Sequence, residues 1–128
     1  MSAEQFVPVL RRFLDAFNQR DLALLDQLSD ELVTADMIWH DPSMPSIPEG
    51  TGPAVQKAFN RQALESNPDM HITVHETLVA ENWITTRASL VMNNPTTRAP
   101  EPYCMIEVDR IVDNRIAESW SLSVPGKW

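Results

Sequence analysis

The fold is decided by residues 102–124, PYCMIEVDRIVDNRIAESWSLSV, which contain two runs rich in Val, Ile and aromatic residues. Such residues favour strands. The two runs are separated by Asp113-Asn114, a two-residue connection in which Asn tolerates positive φ. The pattern predicts an antiparallel hairpin, with strands from Pro102 to Val112 and from Arg115 to Val124.

Two further strands are predicted before this hairpin, over residues 70–80 and 83–92, and a short extended run ends at residues 39–42, WHDP. Apolar residues recur at helical spacing in three other segments. They are Phe6, Val9, Leu10, Phe13, Leu14 and Phe17; Leu22, Leu25, Leu28 and Leu32; and Val55, Ala58, Phe59 and Leu64. Because a sheet must bury one face against amphipathic helices, this order predicts an α+β fold, as a single domain over residues 1–128.

Composition argues against several classes of partner. The net charge of −8 repels phosphate backbones, and lysine and arginine form no cluster, so no nucleic-acid partner is expected. No apolar run approaches the roughly 18 residues that span a bilayer, and residues 1–5 lack the features of a secretory signal. We therefore expect a cytoplasmic protein without a membrane partner. The single cysteine, Cys104, excludes an internal disulfide and a cysteine-rich metal site.

Five short segments carry a family resemblance. They are residues 17–21 (FNQRD), 39–42 (WHDP), 50–53 (GTGP), 68–71 (PDMH) and 110–120 (RIVDNRIAESW). In this order and spacing they resemble the SnoaL-like polyketide cyclase family, within the nuclear-transport-factor-2-like superfamily. The resemblance covers nearly the whole chain as one SnoaL-like domain. It implies a cone-shaped barrel, in which a curved, mainly antiparallel sheet wraps around the N-terminal helices and an apolar pocket.

The resemblance also implies a pocket at the open end of the cone. The cyclases use it for an intramolecular aldol closure through an acid/base carboxylate, and relatives use it for isomerisation or epoxide opening. The ungapped match over residues 110–113 places Ser121 where the cyclases carry their aspartate, and Met105 and Glu107 at two further pocket positions. A serine with no adjacent base cannot take a proton from carbon. Fold alone does not fix function, so the acid/base residue has to be sought elsewhere.

Residues on the strand from Pro102 to Val112 alternate between two faces. One face holds Tyr103, Met105, Glu107 and Asp109, and the other holds Cys104, Ile106 and Val108. The resemblance makes the first face the pocket wall, whereas hydrophobicity alone favours burial of the second. Both faces are covered if a second copy of the chain packs on the outer one. We therefore expect a homodimer through the sheet.

Glu107 is the leading catalytic candidate. A glutamate on a pocket wall among Met, Tyr and Trp loses hydration, which raises its pKa and suits it to general acid or base chemistry near neutral pH. The alternative is a solvated or arginine-paired strand residue. His40 and Asp41, at the expected pocket rim, are the second candidates; alternatively Asp41 forms a turn before Pro42 and His40 bonds the loop. A register error of one residue would exchange the strand faces and make Glu118 an alternative carboxylate.

Four side chains are expected to bind the ligand, namely Tyr103, Met105, Trp39 and Ser121. A phenol in a dry pocket donates a hydrogen bond to a developing oxyanion, although Tyr103 can equally be a wall residue with its hydroxyl in water. No metal is expected, because His71 and His75 on one strand lie about 13 Å apart. Asp109 and Arg110, just before the hairpin turn, are expected to be solvated.

Two functions remain open from the sequence. The first is a cofactor-independent enzyme that transfers protons on a small, largely apolar carbonyl compound, as a cyclase, isomerase or dehydratase does. The second is a non-catalytic ligand-binding or dimerisation domain, in which the pocket persists without chemistry. Ser121 at the position of the family's aspartate permits the second reading.

Overall fold

The helices precede most of the sheet in this computed structural model, which describes residues 3–44 and 47–128. A 3-10 turn at Ala3–Phe6 leads into helix α1, Val7–Asn18, and helices α2 and α3 follow at Leu22–Leu32 and Gly52–Ser66. Pro8 and Pro53 lie in the first turns of α1 and α3, where the missing N–H costs no hydrogen bond. No helix in these two ranges is long and apolar enough to cross a membrane.

Five strands form one open, mixed sheet in the order β1-β5-β4-β3-β2. They are β1, Val33–His40; β2, His71–Ala80; β3, Trp83–Asn93; β4, Pro100–Val112; and β5, Arg115–Pro125. Strands β2 to β5 pair antiparallel in chain order, whereas β1 pairs parallel to β5. The α+β fold class predicted from the sequence is confirmed. The sheet keeps two free edges and does not close on itself, so helices and sheet together make the cone-like shape.

The core lies between the helices and the inner face of the sheet. Its fully buried side chains come from both layers, and they include Phe6, Phe17, Leu25, Leu28, Met37 and Ile84. Burying a side chain of this size contributes roughly 1.5–3 kcal/mol, so this layer supplies most of the stability of the fold.

The segment 17–21, which carried part of the family resemblance, connects the helices to the sheet. The side-chain amide of Asn18 donates to the carbonyl of Ile72 and accepts from its N–H, both at 2.8 Å. The guanidinium of Arg20 donates to carbonyls at the C-terminal end of α3. Asp21 caps α2 by accepting from the N–H of Leu24 at 3.1 Å. Asn18, Arg20 and Asp21 therefore hold the helices in position against the sheet, while Phe17 lines the cavity between them.

Gly52 begins α3 at a point of close backbone approach. Its φ is +70°, in the left-handed region that favours glycine, and a Cβ there would lie 2.3 Å from the carbonyl oxygen of Ala35 on β1. The segment 50–53 is thus required for α3 to pack against β1.

The register of the central strand determines which side chains meet. On β4, Glu107 lies between Thr86 of β3 and Ser121 of β5, and Asp109 lies opposite Ser119 of β5. Residues directly opposite each other on neighbouring strands share one face of the sheet. All five side chains therefore project from the inner face, toward the helices.

The outer face of the same strands carries exposed apolar side chains. Trp120, Leu122 and Val124 of β5 are 37%, 54% and 57% exposed, and Ile106 of β4 is 38% exposed. The helices leave this face uncovered.

Candidate functional site

A cavity of about 90 Å³, here called the inner cavity, lies between the helices and the inner face of the sheet. Its wall is mostly apolar, with side chains such as Phe13, Trp39, Leu90 and Met105. The polar side chains that line it include Asp41, Gln56, Asn60, Thr86, Glu107, Ser119 and Ser121. Two carboxyl groups therefore face a small, largely apolar space.

Glu107 lies at the centre of the sheet wall and keeps part of its surface accessible. Burial raises the pKa of this carboxyl well above its usual range, because the charged form loses hydration. The charge and close approach of the Asp109 carboxyl group and the charge of Asp41 raise it further. These causes all favour a protonated Glu107, which is a proton donor on the cavity wall.

Asp109 is completely buried behind Glu107. Among the described residues, neither of its carboxyl oxygens has a hydrogen bond of good geometry, although Glu107 and Ser119 are close enough to lower its pKa. Desolvation outweighs those two neighbours and raises the pKa of Asp109 to about 6. Two adjacent buried carboxyl groups resist double ionisation, and the pKa of Glu107 is raised the further of the two.

Asp41 follows the last residue of β1 and has a different environment. Its carboxylate accepts a hydrogen bond from Ser121 Oγ at 2.7 Å, one from the N–H of Ser43 at 2.9 Å, and a third from Ser43 Oγ. Ser121 Oγ in turn accepts from Trp39 Nε1 at 2.9 Å. The inner cavity thus combines a carboxyl group that accepts three hydrogen bonds with a second one whose pKa is raised by burial.

Polar side chains on the helix side of the cavity are already paired. Asn60 accepts from Gln56 Nε2 at 2.9 Å and donates to Ser29 Oγ at 3.2 Å, and Ser29 donates to the carbonyl of Leu25. By contrast, Thr86 Oγ1 is buried and has no partner among residues 3–44 and 47–128. The unpaired polar groups are therefore on the sheet side, beside Glu107.

No cluster of three or more His, Cys, Asp and Glu side chains in the described ranges is placed to hold a metal ion. The sequence profile of the SnoaL-like domain matches residues 10–119. This chain belongs to the SnoaL-like family. The matched range contains the three carboxyl groups of the site, Asp41, Glu107 and Asp109. No curated protein sequence matches this SnoaL-like chain significantly.

Solved structures share the fold of this SnoaL-like protein at low identity. IdmH from Streptomyces antibioticus, a candidate polyketide cyclase, is 24% identical, with 93% of this chain and 91% of that chain covered and a TM-score of 0.71. A candidate ketosteroid isomerase from Kribbella flavida is 18% identical, with coverage of 98% and 82% and a TM-score of 0.70. A nuclear-transport-factor-2-like protein of unknown function from Mesorhizobium loti is 22% identical, with coverage of 95% and 93% and a TM-score of 0.72.

The structure places His40 on the face of the sheet opposite Asp41. His40 Nε2 is hydrogen-bonded to Glu118 at 2.8 Å, and the imidazole stacks on Trp120 with ring centroids 5.5 Å apart. Glu118 also pairs with Arg110, and these partners lower its pKa. Successive strand residues point to opposite faces, so the expectation that His40 works beside Asp41 at the pocket rim is corrected. Glu118 likewise lies outside the inner cavity.

Tyr103 does not line the inner cavity but an adjacent groove. Its hydroxyl donates to Glu101 at 3.0 Å, and burial and this carboxylate raise the pKa of the phenol. The expectation that Tyr103 donates to an oxyanion beside Glu107 is therefore corrected. Met105, Trp39 and Ser121 do line the inner cavity, and Trp39 packs edge-on against Phe59 at 4.5 Å.

Sequence reasoning missed two features of the site. Asp109 was expected to be solvated, but it is fully buried, and its position two residues after Glu107 on one strand was the available signal. Ser43 was not considered, and its pairing with Asp41 follows a local turn typical of Asp followed by Pro.

Proposed function

We propose that this SnoaL-like protein is a cofactor-independent enzyme that transfers protons on a small, largely apolar carbonyl compound, with Glu107 and Asp41 as its acid and base. The observation that carries the proposal is the pairing of two carboxyl groups in opposite environments on one apolar cavity. Two carboxyl groups in different environments on one site are a common basis of acid/base catalysis.

The proposed reaction begins at the carbonyl oxygen of the substrate. Protonated Glu107 donates to this oxygen, while the carboxylate of Asp41 takes a proton from the adjacent carbon. The electron pair of the broken C–H bond forms a C=C bond, and the carbonyl becomes an enol that keeps the proton of Glu107. In an isomerisation, Asp41 returns its proton to a carbon conjugated with the enol, and the enol O–H gives its proton back to Glu107, which restores the carbonyl and both carboxyl groups. In a ring closure, the enol carbon attacks a second carbonyl instead; the oxygen of that carbonyl takes the proton held by Asp41, and the enol O–H proton returns to Glu107.

Asp109 acts in this scheme through Glu107. It is buried behind Glu107 and does not line the inner cavity, so it is a positioning residue without substrate contact. Its charge favours the proton on Glu107, which keeps Glu107 a donor near neutral pH.

The volume of the inner cavity restricts the reacting part of the substrate. A cavity of about 150 Å³ holds benzene, whereas the inner cavity measures about 90 Å³. The group that enters beside Glu107 is therefore a few atoms across. Candidate polyketide cyclases and ketosteroid isomerases are among the proteins that share the fold, and both kinds of name are consistent with chemistry at a carbonyl.

A second candidate function is non-catalytic ligand binding. It is favoured by Ser121, which stands at the position where the resemblance implies an aspartate and which bonds Asp41 at 2.7 Å. In this alternative, the bonds from Ser121 and Ser43 make Asp41 part of the structure, and the cavity only holds its ligand.

Exchange of α-protons in heavy water distinguishes the two functions. Small ketones such as butanone and cyclopentanone are incubated with the protein, and deuterium at the α-carbon is followed by NMR. We expect catalysed exchange that falls roughly 10²–10⁴-fold in Glu107→Gln and in Asp41→Asn. Exposed Glu31→Gln and Asp15→Asn are the matched controls and should exchange at the wild-type rate.

Exchange at the wild-type rate in Glu107→Gln would contradict the proposed role of that residue. If the wild type binds the ketones but exchanges none of them faster than buffer does, the ligand-binding alternative is supported instead.

A further inference from the structure

A second space, here called the outer groove, adjoins the inner cavity. It measures about 200 Å³, roughly twice the volume of the inner cavity, which measures about 90 Å³. Three side chains line both spaces, namely Met44, Phe59 and Met70. These side chains form the partition between them.

The partition is built from side chains that can move. Met44 and Met70 are unbranched and have three rotatable side-chain bonds each, so they change rotamer more readily than branched or aromatic residues. Met44 is also half-buried, which leaves room for its side chain to move. A change of rotamer at the two methionines would join the inner cavity and the outer groove into one elongated space, here called the combined space.

The outer groove presents hydrogen-bond acceptors. Tyr103 gives its only hydroxyl proton to Glu101, which leaves the lone pairs of the phenol oxygen free to accept. Asn93 Oδ1 is buried without a partner among the described residues, while its Nδ2 donates to the carbonyl of Ser66. The free lone pairs of the Tyr103 hydroxyl and the unpaired oxygen of Asn93 both suit a ligand end that donates a hydrogen bond.

The length of the combined space follows from the strand that passes through it. Tyr103 in the outer groove and Glu107 in the inner cavity are four residues apart on β4, on the same face. At a rise of about 3.3 Å per residue their positions are separated by about 13 Å.

From these contacts we infer that the substrate is an elongated carbonyl compound, about 13 Å long, with its carbonyl at Glu107 and a hydrogen-bond donor at its far end in the outer groove. Its apolar middle passes between Met44 and Met70. The inference rests on the proposed function for the position of the carbonyl, and it extends that function by assigning the second binding region and the chemistry of the far end. A hydroxyl and an amine both satisfy the two acceptors.

Binding of a ligand series tests the inference independently of catalysis. The dissociation constants of 2-alkanones from butanone to dodecanone are measured by calorimetry, together with ω-hydroxy and ω-amino forms of the longer members. Affinity should rise roughly threefold to fourfold per added methylene until the chain fills the outer groove. A donor on the far end should add about a twofold to tenfold gain.

Two variants and a control show where the alkyl chain and the donor of the ligand bind. Gln62 is exposed on α3 and lines the outer groove, so Gln62→Trp obstructs the groove without altering the core. It should abolish the advantage of long over short ketones, whereas Gln27→Trp, exposed on α2, should preserve it. Tyr103→Phe keeps the ring and should reduce the gain from the ω-hydroxyl while leaving the dependence on chain length.

An affinity that stops rising at the shortest ketones, or a long-chain advantage that survives Gln62→Trp, would overturn the inference. If the gain in affinity from the ω-hydroxyl is unchanged in both Tyr103→Phe and Asn93→Ala, the far end of the substrate does not bind these two acceptors, and that part of the inference is overturned. Comparison of the ω-hydroxy and ω-amino ligands shows which donor the groove prefers. Failure of the proposed function is a separate result, because it appears in the exchange assay and not in the binding series: the wild type exchanges α-protons no faster than buffer does, or Glu107→Gln exchanges them at the wild-type rate.

Discussion

Replacing Asp109 by asparagine should stabilise the protein above neutral pH. Folding raises the pKa of this carboxyl from 3.8 to about 6, so the folded protein binds the proton more tightly than the unfolded chain does. The resulting penalty is absent below pH 4, develops between about pH 4 and pH 6, and is complete above that range. At 1.36 kcal/mol for each pKa unit, it amounts to about 3 kcal/mol. Because the new amide also needs partners, we expect Asp109→Asn to gain about 1–3 kcal/mol at pH 8 and little at pH 4.

Urea denaturation at pH 4, 6 and 8 measures the effect directly, and melting temperatures should rise by about 4 °C for each kcal/mol gained. Asp113→Asn is the matched control, since Asp113 is exposed in the β4–β5 turn and asparagine tolerates its positive φ of 51°. A loss of stability in Asp109→Asn at pH 8, or a gain of equal size at pH 4 and pH 8, would refute the reasoning. The first result would mean that the carboxylate is satisfied in the folded protein, and the second that its charge is irrelevant.

Three further predictions concern stability and assembly. Gly52→Ala should lower the free energy of unfolding by at least about 2 kcal/mol, because a Cβ there would lie 2.3 Å from a carbonyl oxygen of β1. Gly126→Ala is the control, since its φ is also positive but no atom lies within 4 Å of the new Cβ. Urea denaturation should show a smaller loss of stability in this control. Thr86→Val should be neutral or stabilising by about 1 kcal/mol, because it removes a buried hydroxyl without a partner. A clear loss of thermal stability there would mean that the hydroxyl is bonded. We also expect the wild type to sediment as a homodimer at micromolar concentration and Leu122→Glu, on the exposed outer face, as a monomer. A monomeric wild type would contradict this.

Much of the fold was predictable because its signals are local. The hairpin around Asp113-Asn114 follows from turn chemistry and strand-forming residues, and alternation along the strand places Glu107 and Asp109 on one face. The parallel pairing of β1 with β5 has no comparable local signal, since the two strands lie at opposite ends of the chain. Its consequence, the bond between Ser121 and Asp41 across 80 residues, depends on the tertiary structure.

Two errors at the site have identifiable physical causes. Reading residues 39–42 as one functional cluster ignored the alternation that sends Asp41 inward and His40 outward. Asp109 was read as solvated because charged residues next to turns usually are. Its burial results from the position of β4 in the middle of the sheet, with β3 and β5 on either side.

The inner face of β5 carries serine at three alternate positions, Ser119, Ser121 and Ser123, all of them buried. None of these side chains contributes to the hydrophobic core formed by the helices. Two of them, Ser119 and Ser121, line the inner cavity, so the room available to a ligand is set partly by small side chains on one strand. Larger residues at these two positions would reduce the binding space. New substrate preferences can thus arise in this protein by changes on a single strand.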